Sequence, residues 1–197
     1  TKEQAEKEVS LSIERLIYYA GWCDKFQQLY STVNPVASSH FNFSAPEPTG
    51  VVSIIAPQNN SLIGLVSVIA PIIAGGNTCV VLASASKPLC AVTFAEVLGT
   101  SDVPGGTINI LTGKPGELLS WFSDHMDVNA IVFGENDKEA ILKIQQKATL
   151  NLKRVLLWNN YNWLLETAQN PYLINDAQEI KTTWHPIENI GGAKAGY

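Results

Sequence analysis

The stretch GVVSIIAPQNNSLIGLVSVIAPIIAGGNTCVVL, residues 50–82, decides the fold of this 197-residue chain. It contains two β-rich apolar runs, at 51–55 and 78–82, and an apolar helical segment at 62–74 that a glycine pair closes. Short continuous apolar runs are typical of strands buried on both faces, and a helix between two such runs is typical of a parallel β–α–β unit. The stretch therefore predicts the first unit of a parallel sheet that has helices on its faces.

The same alternation of strand and helix continues up to residue 158. Further strands are predicted at 107–111, 130–133 and 155–157, and further helices at 89–98, 116–122 and 137–148. Asp137 has the side chain and the position of an N-cap for the last of these helices. The whole pattern predicts an α/β fold with a doubly wound, Rossmann-like parallel sheet over residues 50–158.

A helix and a β arm are predicted before this sheet. The apolar spacing predicts a helix over 2–29, with Thr1 and Gln4 as a capping box. Phe41 and Phe43 alternate with polar residues, which predicts a strand at 38–44, and the prolines that follow are expected to break it.

Beyond the predicted sheet the sequence is irregular, with one further strand expected at 181–184. We therefore divide the chain into an N-terminal helix and β arm at 1–49, the Rossmann-like domain at 50–158, and an irregular tail with this further strand at 159–197.

Composition excludes several classes of protein. The 13 basic and 18 acidic residues give a net charge of −5, whereas nucleic-acid binders usually carry a basic surplus. No apolar run reaches the roughly 18 residues that a membrane span needs. The three cysteines form no CxxC pair and the three histidines are dispersed, so we expect no disulfide framework, no metal site and a cytoplasmic location.

One compositional value is unusual. Charged residues make up 16% of the chain, against about 25% in a typical soluble domain. This predicts that part of the surface is buried against another chain or domain. The alternative is a polar surface built from the plentiful Asn, Gln, Ser and Thr residues.

The loops that follow the predicted strands contain no glycine-rich nucleotide fingerprint and no phosphate-binding P-loop, so spacing alone indicates nucleotide binding only weakly. Their motifs, however, occur in an ordered set: IAPQN at 55–59, APIIAGGNT at 70–78, VPGG at 103–106, NILTG at 109–113, VNAIVF at 128–133, NLKRV at 151–155 and KTTW at 181–184. In this order the sequence resembles the aldehyde dehydrogenase superfamily. The resemblance implies that Pro57, Asn59, Gly113 and Phe133 line the former cofactor cleft.

The sequence departs from that family at its functional positions. Ala83 and Ser86 stand where the resemblance implies a Lys and a Glu that bind the adenosine ribose, and Lys87 is a candidate replacement. Glu135 falls in the phosphate-binding loop, where an acidic side chain would repel a pyrophosphate. Trp158 stands at the position of the general-base Glu, and an indole cannot accept a proton.

The catalytic domain that the resemblance implies is also missing, because only the segment 159–197 follows Trp158 and it contains no Cys. In this respect the sequence resembles the non-catalytic C-terminal half of two-domain family 16 aldehyde dehydrogenases. We therefore expect a structural or assembly domain that binds an aldehyde dehydrogenase catalytic domain or a second copy and holds no cofactor. The alternative is an NAD-binding portion of an active aldehyde dehydrogenase whose nucleophile lies elsewhere.

The expected interface residues lie in the arm and the tail strand. They are Phe41, Phe43, Thr183 and Trp184. Other tail aromatics, including Trp158 and Trp163, have two interpretations, as caps of the domain's own core or as interface anchors. The low charge favours the interface.

Overall fold

Residues 1–187, which the computed structural model describes, form two β-sheets and the helices that pack on them. The helices are α1 (Lys2–Ala20), α2 (Phe26–Tyr30), α3 (Ile63–Ala74), α4 (Leu89–Gly99), α5 (Pro115–Asp124), α6 (Lys138–Ala148) and α7 (Tyr172–Asp176). The strands are β1 (Thr32–Asn34), β2 (His40–Pro48), β3 (Val51–Ile55), β4 (Thr78–Leu82), β5 (Ile108–Leu111), β6 (Ala130–Phe133), β7 (Arg154–Leu157) and β8 (Gln178–Pro186). The end of the predicted tail, 188–197, lies outside the described residues.

The larger sheet has five parallel strands in the order β5-β4-β3-β6-β7. The chain steps outward from β3 to β5 and then returns to β6 and β7. Right-handed crossovers therefore place α3 and α4 on one face and α5 and α6 on the other. Each face has its own hydrophobic cluster. The predicted doubly wound sheet is confirmed, and its strands and helices match their predicted bounds closely.

Helix α3 is the centre of the fold. Its residues from Ile63 to Ile72 are all buried, between the sheet on one side and α1 on the other. Because α3 is apolar on every side, it needs a second layer beyond the sheet, and α1 supplies that layer.

The first helix has the predicted capping box but ends at Ala20, not at residue 29. The chain turns at 21–25 and restarts as α2, which lets Phe26 pack with Tyr19 and Ile174 in a third hydrophobic cluster. Phe26 is 6% exposed in this cluster, so the chain beyond the turn still contributes an aromatic side chain to the core. The apolar spacing is helical both before and after residues 21–25, so the sequence does not indicate the turn.

The smaller sheet joins the predicted arm and the predicted tail strand. Strand β2 pairs antiparallel with β8 along its whole length, and β1 pairs with β2 from Asn42 to Ser44. The prediction that prolines end the arm is wrong, since β2 continues through Pro46 and Pro48. Beyond Ser44 the β1 side of β2 has no partner strand among the described residues, and a proline is tolerated on such an open edge.

The tail at 158–177 returns across the α3 face of the sheet. Trp158 and Trp163 are buried there with Leu173 in the main hydrophobic cluster. The structure therefore favours the core interpretation of these two tryptophans and corrects the expectation that they anchor an interface. The exposed aromatic of the tail strand is Trp184 on β8.

Candidate functional site

Ligands of doubly wound sheets bind beyond the carboxyl ends of the strands. The structure places all four predicted cleft residues there. Pro57 and Asn59 follow β3, Gly113 follows β5, and Phe133 ends β6. Pro57 and Phe133 are buried, whereas Asn59 is exposed, so only part of the set faces solvent at this edge.

The loops after β3 and β6 are pressed together at the centre of this edge. A Cβ atom placed on Gly134 would lie 2.8 Å from Cδ of Pro57, which is closer than real Cβ contacts. The proline ring thus occupies the space directly over the glycine. Only a residue without a side chain fits at position 134.

Glu135 bonds to the protein itself. Its carboxylate accepts a hydrogen bond from the backbone N–H of Gln58. The side-chain Oε1 of Gln58 accepts a hydrogen bond from the backbone N–H of Ala85 at 2.8 Å. The backbone carbonyl of Gln58 accepts one from the Ser84 hydroxyl at 2.8 Å. Glu135 and Gln58 therefore tie together the loops after β3, β4 and β6.

Two helix N-termini at this edge are also capped by carboxylates. Glu8, which projects from α1, accepts the backbone N–H groups of Ser61, Leu62 and Ile63 at 3.0, 2.7 and 3.1 Å. Asp137, the predicted N-cap, accepts two N–H groups of the first turn of α6. Backbone N–H groups and the positive end of the helix dipole are what an anion such as a pyrophosphate binds. At α3 and α6 the chain's own carboxylates already use them.

A cavity of about 380 Å³ lies beside these loops, with a floor that includes Ile55, Leu119 and Phe133. The charged side chains around it are Glu135, Asp137, Glu139 and Lys143. Three carboxylates against one ammonium make the rim acidic, which disfavours a diphosphate.

The positions at which the resemblance implies ribose-binding residues carry neither the Lys nor the Glu. Ala83 is buried and carries no polar group, and Ser86 has only a hydroxyl in place of a carboxylate. Lys87, the candidate replacement, donates from Nζ to the carbonyl of Asn59 at 2.6 Å. Its ammonium is therefore engaged by the protein backbone.

Trp158 fills the position that the resemblance gives to the general base. Its Nε1 donates to Oδ2 of Asp176 at 3.1 Å, and burial raises the pKa of that carboxyl. The indole has no acceptor atom, and the neighbouring acid is already bonded to it. This hydrogen bond ties the start of the tail to the end of α7.

The predicted interface residues lie together on the smaller sheet, but on both of its faces. Phe43 is directly opposite Thr183, and Phe41 lies on the same face as both. Its ring and that of Phe43 are 5.6 Å apart, beside Val33. Trp184 is on the other face, opposite Asn42, with its ring against His40.

The arm sheet has an unusual polarity. Asn42 and Ser44 are buried and hydrogen-bonded to Asn34, whereas Phe41 on the opposite face is 46% exposed. A free sheet in water would normally show the reverse pattern. The side chains on the face of Phe41 and Phe43, called here the aromatic face, therefore gain from being covered, as does Trp184, which is 57% exposed on the other face.

Sequence reasoning missed two anchoring residues on α1. Glu8 caps α3 as described above. Arg15 is 2% exposed and donates to the Ser67 hydroxyl and to the carbonyls of Trp163 and Leu165. Burial lowers its pKa. One signal was available in the sequence, because the start of α3 offers no side-chain cap of its own.

Between residues 1 and 187 no three His, Cys, Asp or Glu side chains are grouped so that they could hold a metal ion. The helices of the same region lack the combination of length and apolar character that crossing a membrane requires.

Comparison with known proteins gives consistent matches. Residues 1–160 match the profile of the aldehyde dehydrogenase family. Cytosolic 10-formyltetrahydrofolate dehydrogenase from Xenopus tropicalis is 35% identical over 150 residues, and its Homo sapiens counterpart is 34% identical; each match covers 76% of this chain and 17% of the relative. The chain thus spans about a sixth of the length of these relatives.

Solved structures agree with this assignment. PnpE from Pseudomonas sp. WBC-3 superposes with a TM-score of 0.71 at 28% identity. The NAD⁺ complex of an aldehyde dehydrogenase from Bacillus cereus superposes with a TM-score of 0.70 at 25% identity. Both matches cover 76% of this chain and 30% of the solved chain.

Proposed function

Because this chain belongs to the aldehyde dehydrogenase family, we propose that it is a non-catalytic assembly domain, part of or partner to an NAD-dependent aldehyde dehydrogenase. Within the family we assign it to the C-terminal half of the two-domain family 16 enzymes. The observation that carries the proposal is internal to the fold. Only the short segment 158–177 separates β7 from β8, where the resemblance implies a whole catalytic domain.

The chemistry of that segment supports the same role. The stretch 158–187 contains no Cys that could serve as a nucleophile, and Trp158 replaces the general base. Covalent catalysis needs an activated nucleophile and a group that takes its proton. The stretch instead packs Trp158 and Trp163 into the core and continues into the arm sheet.

We further propose that the old cofactor cleft holds no NAD. Glu8 and Asp137 use the helix N-termini, Glu135 uses a loop amide, and the rim of the cavity is acidic. A dinucleotide would have to displace these internal carboxylates before its diphosphate could bind. The alternative role, an NAD-binding portion of an active enzyme, rests on the position of the cavity and on the retained Pro57, Asn59, Gly113 and Phe133.

The partner that we propose is an aldehyde dehydrogenase catalytic domain or a second copy of this chain, bound through the arm sheet. Phe41, Phe43 and Thr183 form the docking face, and Trp184 lies at the opposite face of the same sheet. Aromatic side chains bury large areas at small entropic cost, which suits an interface centre. We retain the three-part division at residues 49 and 158 and the cytoplasmic location as parts of this proposal.

The first test is a calorimetric titration of the chain with NAD, up to millimolar ligand. We expect no heat of binding beyond dilution. Micromolar binding would contradict the proposal and support the nucleotide-binding alternative. A dehydrogenase assay with aldehydes and NAD, on the same samples, should show no turnover.

The second test measures docking on a catalytic aldehyde dehydrogenase subunit from the same organism. Binding to the wild-type chain is compared with binding to Phe43→Ser and to Leu89→Ser, an exposed apolar residue on α4. We expect the arm variant to lose about tenfold or more in affinity, as is typical of a buried aromatic anchor, and the control to bind normally. Equal binding by both variants, or none by the wild type, would reject the arm as the docking face for a catalytic domain.

A further inference from the structure

The arm sheet is joined to the parallel sheet at a small root, which we define as Thr49, Gly50 and Ala177. Thr49 and Gly50 connect β2 to β3, and Ala177 connects α7 to β8. Gly50 has a φ of 126°, a conformation that glycine adopts readily. Because a glycine permits many backbone directions, the direction of the arm depends on the groups that bond the root.

Asn77, in the APIIAGGNT motif, bonds both sides of the root. It lies directly before β4 and is 1% exposed. Its Oδ1 accepts a hydrogen bond from the N–H of Gly50 at 2.8 Å. Its Nδ2 donates to the carbonyls of Ala177 at 3.0 Å and of Ile72, in α3, at 3.4 Å. Among the described residues outside the root, Asn77 alone has a side chain that bonds both connections.

The bonds of the root converge on the carbonyl of Ala177, which is fully buried. Besides the Asn77 amide, this oxygen accepts from the N–H of Thr49 at 3.3 Å, from the Thr49 hydroxyl at 2.9 Å and from Nε2 of Gln178 at 3.1 Å. Hydrogen bonds in such a water-excluded place are strong. An Asp at position 77 would replace the Nδ2 donor with an oxygen that only accepts, and this oxygen would repel the carbonyl.

The root controls the docking face through a long lever. Phe41 lies seven residues before Pro48 on β2, a length of about 23 Å at 3.3 Å per residue. A rotation of about 10° at the root would therefore move Phe41 by about 4 Å. Helix α2 also contacts β2, but within the described part of the chain it makes no hydrogen bond to the root.

We propose that Asn77 is a positioning residue, which fixes the direction of the arm sheet relative to the parallel sheet and so presents the aromatic face to its partner. The statement about the partner rests on the proposed function, whereas the statement about the direction of the arm does not. Without Asn77 the arm takes several directions, of which one fits the partner. Binding then weakens in proportion to the fraction of molecules in the competent direction.

The distance between two spin labels in the free chain measures the direction of the arm. One label is attached to the native Cys90 on α4, which is exposed, in a Cys23→Ser background, while Cys79 is buried. The other is attached to His185→Cys, which lies opposite Phe41 at the far end of the arm. We expect one narrow distance distribution for the chain that keeps Asn77.

Three substitutions are compared in this labelled chain. Asn77→Asp should shift or broaden the distribution by about 4 Å or more, as a rotation of about 10° would. Asn151→Asp is the matched control and should leave it unchanged, because Nδ2 of Asn151 also donates to two backbone carbonyls, neither of which belongs to the arm. Thr49→Val removes one bond to Ala177 and should give a smaller change. If Asn77→Asp does not fold, Thr49→Val alone decides.

The unlabelled variants are then titrated with the catalytic aldehyde dehydrogenase subunit. Asn77→Asp should bind about tenfold or more weakly, which corresponds to about a tenth of the molecules in the competent direction, and Asn151→Asp should bind like the wild type. An unchanged label distance in Asn77→Asp and Thr49→Val, or an equal change in Asn151→Asp, would overturn the proposal and leave the proposed function standing. A displaced arm that docks with wild-type affinity would also overturn it. No docking by the wild type would count against the proposed function, and the label distance would still decide whether Asn77 sets the direction of the arm.

Discussion

Glu8 should be one of the most important surface carboxylates of this fold, because it joins two helices that lie far apart in the sequence. Its side chain leaves α1 and accepts three consecutive N–H groups at the start of α3. The residue before α3, Leu62, provides no side-chain cap. Glu8→Ala removes the one carboxylate that satisfies these amides.

The magnitude follows from the two effects that Glu8 combines. Loss of an N-cap costs about 0.5–2 kcal/mol. Loss of a negative charge at a helix N-terminus costs about 0.3–1 kcal/mol more. Alanine returns a few tenths through its higher helix propensity in α1. We therefore expect the free energy of unfolding to fall by about 2 kcal/mol, which lowers Tm by roughly 4–8 °C for a domain of this size.

Urea unfolding followed by circular dichroism measures this change directly. Glu14→Ala is the matched control, because Glu14 is exposed on the same helix, and it should change stability by less than about 0.5 kcal/mol. Glu8→Gln should lie between the two, since an amide oxygen still accepts but carries no charge. If Glu8→Ala unfolds at the same urea concentration as the wild type, the inferred cap contributes nothing and the electrostatic account of the cleft loses its main support.

Three further changes probe the cleft and the core. Gly134→Ala should lower the free energy of unfolding in urea by about 1–3 kcal/mol, because its Cβ would lie too close to a proline ring. Gly99→Ala, which has open space around it, should leave that free energy unchanged or raise it. Equal losses in the two variants would contradict the close packing. Trp158→Glu should lower the free energy of unfolding by about 3 kcal/mol or more, since it leaves a cavity and sets a carboxylate beside Asp176. The same variant should show no dehydrogenase activity. A variant that is as stable as the wild type, or that is active, would refute this prediction. Burial raises the pKa of Cys79 from 9.0 to about 12, so the native state keeps a proton that the unfolded thiol loses. Wild-type stability should therefore fall relative to Cys79→Ala as pH rises from about 9 to about 12, and a constant difference would exclude this linkage.

The parallel sheet was predictable because its signals are local. The run from Val51 to Ile55 and the run from Thr78 to Leu82 are continuous and apolar, and the structure confirms both to the residue. A strand buried on both faces leaves no ambiguity about which side chains point inward. The helices between such strands are fixed by the same runs, since a parallel connection needs a crossover.

The arm could be predicted as a strand but not as one member of a pair. Its partner β8 lies near the other end of the described chain, and no local feature of either strand specifies the register. The Ser44 hydroxyl is hydrogen-bonded to the Thr182 hydroxyl of β8, and it also accepts a hydrogen bond from Asn34 of β1. Ser44 is a polar residue in a buried position, which alternation alone would assign to solvent.

The sequence predicts which family residues the cleft lacks, but not which bonds the residues in their place make. It shows Glu135 in the phosphate-binding loop and Trp158 at the position of the general base. The groups that these residues bond to, Gln58 and Asp176, come from distant segments and follow only from the packed fold. Glu8 was missed for the same reason, because the helix that it caps begins only at Ile63, beyond the whole arm and the first strand of the parallel sheet.

These replacements have one feature in common, which links stability to function. In an enzyme without its ligand, the hydrogen-bond donors and acceptors that line the cleft have no protein partner. This arrangement lowers the stability of the fold. Here Glu8, Asp137 and Glu135 satisfy backbone amides, and Lys87 satisfies a backbone carbonyl. Each bond stabilises the folded chain with a group that a dinucleotide would otherwise need. Under the proposed function these internal bonds take the place of those to a diphosphate, and the aromatic face of the arm is the surface on which the role of the domain depends.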